Sequence, residues 1–290
     1  MISPINDVSD TAFWIAYHRA LESARGDALF KDPWAAALAG ERGRRISEEM
    51  PTSGIVAWTV ALRTRIIDEY LASAIESGID TVLSLGAGLD ARPYRMKLPA
   101  SLQWIEADYA HVIEYKESVL RDALPGCRLE RVKIDLADTA GRQALLERVN
   151  AQAQSLLILT EGVVPYLAND AVASLADELR SMNHARCWVL DYFSPLALEF
   201  RRRRGVERGM ANAPFKFAPA DWFGFFEDHG WTLGQMRYFP EEAQRLGRPM
   251  PLPLLVRVMA RISRLWMPAA RREAFRTFGG YALLVPSAGS

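Results

Sequence analysis

The run TVLSLGAGLDARPYR, Thr81 to Arg95, constrains this chain more than any other stretch. β-Branched and aliphatic residues, Thr81–Leu85, end at two closely spaced glycines, Gly86 and Gly88, with Ala87 between them. That pattern predicts a buried strand stopping at a tight turn. Glycine reaches positive φ and carries no Cβ, so a ligand can lie directly against such a turn. The turn reads G-A-G-L-D, with Ala91 where the G-x-G-x-x-G fingerprint has its last glycine. The glycines by themselves therefore specify a strand–turn joint and not a ligand. Two further features add the ligand. Asp90, Arg92 and Arg95 place charge just beyond the turn, and the acids Glu106 and Asp108 end the next expected strand, Leu102–Ala107. An acid about 20 residues past a glycine turn is placed to accept hydrogen bonds from ribose hydroxyls. Period-two alternation puts Glu106 and Asp108 on the same side, so spacing does not choose between them. The stretch predicts a nucleoside site.

Elsewhere the chain alternates. Strands are expected at Thr81–Leu85, Leu102–Ala107, Leu129–Ile134, Leu156–Thr160 and Cys187–Tyr192, with helices at Val112–Ala123, Gly141–Ala151 and Asp170–Asn183 between them. This order predicts a doubly wound, parallel α/β sheet. Helices precede it. Thr11–Ser23 has Asp10 as N-cap and Phe13, Tyr17 and Leu21 on one face, with Trp14 beside them. Pro33 suits a first helical position, and Thr59–Glu76 ends at Gly78 as C-terminal cap.

No linker is evident, so residues 1–290 are read as one domain with cap inserts at about 193–230 and 240–278. The first insert carries the arginine run Arg201–Arg204, read as a solvated helix face, and the aromatics Phe215, Phe217, Trp222, Phe223, Phe225 and Phe226. The second holds an apolar–basic helix near Leu254–Trp266, with Arg257, Arg261 and Arg264 on its polar side.

Lysine plus arginine equals aspartate plus glutamate at 35 each, so no whole-protein field is expected to draw in nucleic acid. Cys127 and Cys187 lie far apart, and His18, His111, His184 and His229 are scattered without metal-ligand spacing. No metal site is expected. The N-terminus lacks a basic region before an apolar core, and no uncharged run reaches membrane-span length. The expectation is a soluble, cytoplasmic protein with no membrane partner.

Four motifs in order, GAGLDARPYR, IEADY, KIDLAD and LTEGVVPYL, resemble the leucine carboxyl methyltransferase family. That family is a branch of the class I S-adenosylmethionine-dependent methyltransferases, with bacterial relatives acting on polyketides and other small acids. The resemblance runs from near Thr11 to Gly280–Leu284. It implies a Rossmann-like, seven-stranded methyltransferase sheet with N-terminal helices and a helical cap. Its last strands, Thr232–Phe239 and Tyr281–Val285, would form an antiparallel pair.

The resemblance also implies S-adenosylmethionine as cofactor and assigns its contacts. Gly86, Ala87, Gly88, Asp90 and Arg92 belong to the turn, and Asp108 is favoured for the ribose. Asp135 and Leu136 would sit by the adenine, and Glu161 at the methionine end. Arg63, rather than Arg65, would grip the cofactor carboxylate, with Arg19 as second contact where eukaryotic relatives use lysine. Tyr166, in EGVVPYL, stands closest to the acceptor, so Arg63 and Tyr166 are the candidate catalytic residues.

The implied reaction is in-line methyl transfer to an oxygen of a small-molecule carboxylic acid, a polyketide or other natural-product acid. A carboxylate of pKa about 4 needs no base, whereas a phenol of pKa about 10 would need one, with His18 or Tyr166 as suspects. The aromatic cap, Phe215–Phe226, points to an apolar or aromatic acid. Two alternatives stand beside this reading. One is methylation of a polyketide hydroxyl; the other, from a different class, is an NAD-dependent oxidoreductase, because a glycine turn plus acid serves both cofactors.

Overall fold

Strands β1 (Thr81–Leu85), β2 (Gln103–Asp108), β3 (Arg128–Lys133), β4 (Leu156–Thr160), β5 (Ala185–Phe193), β6 (Trp231–Tyr238) and β7 (Gly279–Pro286) form one sheet. The computed structural model describes residues 5, 7–50, 53–203, 210–253, 259 and 266–287. The strand order is β3-β2-β1-β4-β5-β7-β6. β1 to β5 are parallel, and β7 runs antiparallel between β5 and β6. Every expected strand is present, and the final pair is antiparallel as the resemblance implied. The order departs from the 3-2-1-4-5-6 arrangement of dinucleotide-binding sheets.

β1 and β4 are buried at every position, which is why they read as continuous apolar runs instead of alternating ones. The chain leaves β1 towards β2 on one side and reaches β4 on the other. A crevice therefore opens at the carboxyl ends of β1 and β4, where ligands of open α/β sheets bind.

Helices α1 (Val8–Ser23), α2 (Ala35–Glu49), α3 (Ser53–Glu76), α4 (Arg92–Arg95), α5 (Ala110–Val119), α6 (Thr139–Gln152) and α7 (Asn169–Arg180) surround the sheet. α8 (Pro195–Arg203), α9 (Trp222–Asp228), α10 (Phe239–Arg245) and α11 (Ala269–Arg276) belong to the inserts. One face of the sheet packs on α6, α7 and α9 through Leu145, Val149, Val172, Leu179 and Phe226. The other packs on α3 and α10 through Leu62, Ile66, Tyr70 and Phe239. A third cluster, with Phe13, Trp14, Leu38 and Val112, ties α1, α2 and α5 together at the rim of the crevice.

Several local expectations need correction. Asp7, not Asp10, caps α1, its carboxylate accepting from the Asp10 amide at 3.3 Å. Asp10 is buried instead and pairs with Arg42, because α1 starts at Val8, three residues earlier than the periodicity showed. The inward face of α1 carries Trp14, His18 and Glu22, while Leu21 is exposed. α2 starts at Ala35, so Pro33 lies in the preceding turn. Gly78 does close α3: it has φ of 101°, and Ile79 N donates back to Ala74 O at 3.1 Å.

The aromatic cap is mostly sheet core. Phe217, Trp222 and Phe226 pack with Trp188 and Trp231, and only Phe215 of the expected six turns to the crevice. The arginine run divides as well. Arg202 and Arg203 are exposed, but Arg201 lies over the Phe215 ring at 3.8 Å; Arg204 falls outside the described residues. The expected helix near Leu254–Trp266, with Arg257, Arg261 and Arg264, also lies outside them, apart from Met259 and Trp266. No helix among the described residues is long and apolar enough to cross a membrane.

Candidate active site

The crevice is a cavity of about 990 Å³, floored by strand ends and roofed by α1 and α3. Its lining includes Arg19, Arg63, Gly86, Ala87, Gly88, Asp90, Asp108, Asp135, Leu136, Glu161 and Tyr166. One expected site residue is absent from it: Arg92 lies behind the wall.

The glycine turn is tight for reasons its neighbours impose. Gly86 and Gly88 have φ of 65° and 47°, left-handed values that glycine adopts without strain. A Cβ on Gly86 would overlap Val163 Cγ2, and one on Gly88 would come within 3.3 Å of Ala12 Cβ. The loop after β4 and the start of α1 thus close directly onto the turn and leave it backbone-lined.

Asp108 ends β2 and faces this turn. Its carboxylate accepts from Gly88 N at 2.6 Å and from Tyr109 N at 2.7 Å. Burial raises its pKa, against the opposing pull of those two amides. Glu106 is on the same side but deeper. It is fully buried and bound by Lys116 at 2.7 Å and Arg131 at 2.9 Å, outside the cavity. Of the pair, only Asp108 is available to a ligand.

On the far side of β2, Asp135 and Leu136 follow β3. Asp135 accepts from Ala137 N at 2.8 Å, and Asp138 caps α6. Arg142, another lining residue, holds the Leu136 carbonyl and is itself gripped by Glu178 at 2.7 Å. These contacts fix the segment without filling the slot beside Leu136.

At the carboxyl end of β4 the charges concentrate. Glu161 pairs with Arg63 Nε at 2.9 Å and with Arg92 Nη1 at 2.6 Å. Burial would raise its pKa, but Arg92 and Arg63 hold it below the usual carboxylate value. Arg92 also binds Asp90 at 2.8 Å and Asp68 at 2.7 Å, which explains why it serves the wall and not the cavity. Asp90, likewise penalised by burial, is held ionised by Arg92 and Arg19. Arg19 reaches Asp32 at 3.0 Å and the Leu89 carbonyl at 2.5 Å, so it braces the turn while lining the cavity. Arg65 points away and pairs with Glu69 at 2.6 Å.

Asp191, which the sequence reading passed over, also lines the cavity. It accepts from the Tyr281 hydroxyl at 2.5 Å and from Gly162 N at 2.7 Å. Burial pushes its pKa up to about 6. The signal was present: in Trp188-Val189-Leu190-Asp191 an acid follows an apolar run near the end of a strand, much as Asp108 follows in β2.

Beyond the charged centre the walls become aromatic. Tyr166 meets Phe215 edge-on, with centroids 5.1 Å apart. Burial raises the Tyr166 pKa, so it is a neutral phenol at neutral pH. Phe193 packs against Phe215 at 5.2 Å, and Arg201 lies across both rings. His18 does not line the cavity; it is 1% exposed, and neither ring nitrogen has a partner. His111, His184 and His229 bond to Ser9, Gln154 and Asp177 near the surface. Among the described residues no cluster of histidine, cysteine or acids could hold a metal ion.

Comparison with known proteins agrees with this geometry. Residues 12–180 match the profile of the leucine carboxyl methyltransferase family. A Mycobacteroides abscessus protein bearing the name "Putative S-adenosyl-L-methionine-dependent methyltransferase" is 31% identical over 280 residues, covering 84% of this chain and 90% of its own. A similarly named Streptomyces avermitilis protein is 33% identical over 262 residues, covering 84% and 89%. Among solved structures, a DUF574 family protein from Streptomyces avermitilis superposes with a TM-score of 0.54 at 14% identity, covering 95% of this chain and 97% of that one. A methyltransferase-like protein from Thermobifida fusca gives 0.53 at 14% identity, covering 93% and 94%. At those identities the likeness is one of fold.

Proposed function

As a member of the leucine carboxyl methyltransferase family this chain is an S-adenosylmethionine-dependent methyltransferase, and we propose that it methylates a carboxylate oxygen of a small apolar acid. The residues present fit the cofactor. Asp108 would accept from the ribose hydroxyls, and Asp135 with Leu136 would border the adenine. The turn Gly86-Ala87-Gly88 supplies backbone that a ligand can approach closely. Arg63 and Arg19 suit the carboxylate of the methionine end, and the ionised Glu161 suits its ammonium. When bound, the cofactor supplies an electrophilic methyl on a sulfonium. The NAD alternative is set aside by the family and by a sheet order that dinucleotide folds do not have.

The observation that carries the carboxylate reading is the character of the wall next to Tyr166. It presents rings and the Arg201 cation, and Tyr166 itself is a protonated phenol. A carboxylate arrives already ionised and needs only to be stripped of water and aligned. Phe193, Phe215 and Tyr166 would exclude that water, while Arg63 and Glu161 hold the donor end in place. The proposed catalytic contributions of Arg63 and Tyr166 are thus positioning and desolvation. Incubating the purified protein with S-adenosylmethionine and a panel of aryl and alkyl acids should yield alkali-labile methyl esters. Ethers alone, from hydroxyl-bearing members, would overturn the carboxylate assignment.

One observation favours hydroxyl methylation as a second reading. Asp191 lines the cavity with a pKa near 6, high enough to take a proton from a hydroxyl group. Asp191→Asn separates the two. Under the first reading it leaves ester formation largely intact; under the second it abolishes ether formation.

A further inference from the structure

Arg142 stands where a cation is not favoured. It lies one turn from Asp138, the cap of α6, near the positive pole of the helix dipole. It is nevertheless buried, and two ties hold it there. Its Nε and Nη2 donate to the two oxygens of Glu178 on α7, each at 2.7 Å, a planar fork meeting a planar carboxylate. Its Nη1 donates to the Leu136 carbonyl in the turn after β3. Ser174, one turn before Glu178 on α7, donates to Glu178 Oε1 at 3.1 Å, so the carboxylate is also fixed from its own helix.

The tied segments meet on the cavity wall. Leu136, Arg142 and Ser174 all line it, and they bring together the turn after β3, α6 and α7. One donor in that turn is left over: the Leu136 amide bonds to no group among the described residues. A link between α6 and α7 would be complete without the contact to Leu136. With it, the guanidinium restrains the residue that offers the free amide, and Glu178 and Ser174 restrain the guanidinium in turn.

We infer that Arg142, locked by Glu178, is a positioning residue for the base of the cofactor. It holds the turn so that the Leu136 N–H meets N1 of adenine while Asp135 accepts from the exocyclic amine. The site thereby selects adenine over purines altered at N1 or C6. This rests on the placing of adenine beside Asp135 and Leu136. A purine with carbon in place of N1 leaves the amide without an acceptor. Hypoxanthine sets N–H against N–H at N1 and a carbonyl against the carboxylate at C6. Such rejection requires the turn to stay in place, because a turn free to move would relieve each mismatch.

Binding, not turnover, reads the effect. Titrate the full chain with S-adenosylhomocysteine, with its analogue carrying carbon in place of N1, and with S-inosylhomocysteine. The wild type should prefer S-adenosylhomocysteine to each of the others by about tenfold or more, the loss expected when a hydrogen-bonding group is left unmet. Arg142→Met should reduce both preferences to about twofold, chiefly by weakening S-adenosylhomocysteine, and Glu178→Gln should reduce them several-fold. Arg142→Glu combined with Glu178→Arg separates positioning from support. The exchanged pair joins α6 to α7 again but puts its cation on α7, away from the turn after β3. Recovery of the melting temperature with both preferences still lost is the expected result. Recovery of both together would overturn the inference, as would undiminished preferences in Arg142→Met or Glu178→Gln. A wild type indifferent to N1 and C6 would remove the placing of adenine and the inference with it. A selective wild type whose selectivity survives Arg142→Met would remove the inference alone.

Discussion

Arg92 reaches Glu161 at 2.6 Å from behind the cavity wall, so a carboxylate that lines the cavity is fixed by a residue outside its lining. The same guanidinium holds Asp90 and Asp68; Arg92 and Asp90 are buried, and Asp68 and Glu161 are nearly so. Each acid depends on the shared cation, because burial alone would push Asp90 and Glu161 upward in pKa.

Removing that cation should therefore cost stability and binding together. Arg92→Met leaves three acids without their common partner, and breaking a buried pair from one side costs about 3–5 kcal/mol. Urea denaturation should show a loss of that size, and S-adenosylhomocysteine should bind at least tenfold more weakly because Glu161 is left with Arg63 alone, a group the ligand must share. Unchanged stability would mean that the acids are protonated in the native protein.

Glu106 and Asp108 should separate cleanly. Glu106→Gln weakens the answer to Lys116, itself fully buried, and should destabilise the fold by about 2–4 kcal/mol with little effect on cofactor affinity once folded. Asp108→Ala should do the opposite, costing most of the affinity for S-adenosylhomocysteine and little stability. Calorimetric titration beside thermal melts decides it. Equal effects of both substitutions on both readouts would refute the division drawn from the cavity lining.

The glycines make a matched pair. Gly86 and Gly162 both have left-handed φ, 65° and 69°, so alanine at either should cost about 1–2 kcal/mol of backbone strain. Only at Gly86 does a Cβ also run into Val163; around Gly162 nothing lies within 4 Å. Gly86→Ala should be the more destabilising of the two and should impair cofactor binding, because the turn must shift to admit the methyl. Similar melting temperatures for the two variants would show that Val163 yields without cost.

These contrasts show what the sequence made legible. β1, its glycine turn and the acid at the end of β2 follow from local rules: apolar continuity, glycine and spacing. The seven strands and the placing of eleven of the twelve expected site residues in the cavity wall were readable for that reason. What failed depended on packing between distant segments. Arg92 reads like a ligand-binding arginine until Asp68, 24 residues earlier, takes its Nε. Arg201 reads as solvent-facing until Phe215 provides a ring to lie on. Phe217, Trp222 and Phe226 read as a cap, but the sheet face bearing Trp188 and Trp231 absorbs them. Asp10 lost the capping role to Asp7 because Arg42, on α2, draws it inward.

His18 gives a pH prediction with a definite sign. Burial, reinforced by the nearby Arg63 charge, lowers its pKa from 6.5 to about 4. A depressed folded-state pKa means the unfolded chain takes up the proton first. His18 therefore contributes nothing to the pH dependence above about pH 6.5, and its stability contribution is lost as pH falls from there towards 4. A shift of that size corresponds to about 3 kcal/mol across the window. His18→Phe fills similar space beside Trp14, breaks no recorded hydrogen bond and removes the titration. The difference in unfolding free energy between wild type and His18→Phe, measured in urea at steps from pH 7.5 to 4, should move steadily against the wild type as the pH falls. Asp191, with its pKa near 6, titrates in part of the same window, but it is common to both proteins and cancels in the difference. A difference that stays flat would mean that His18 is protonated in the native state, with an anion supplying the partner that its two nitrogens otherwise lack.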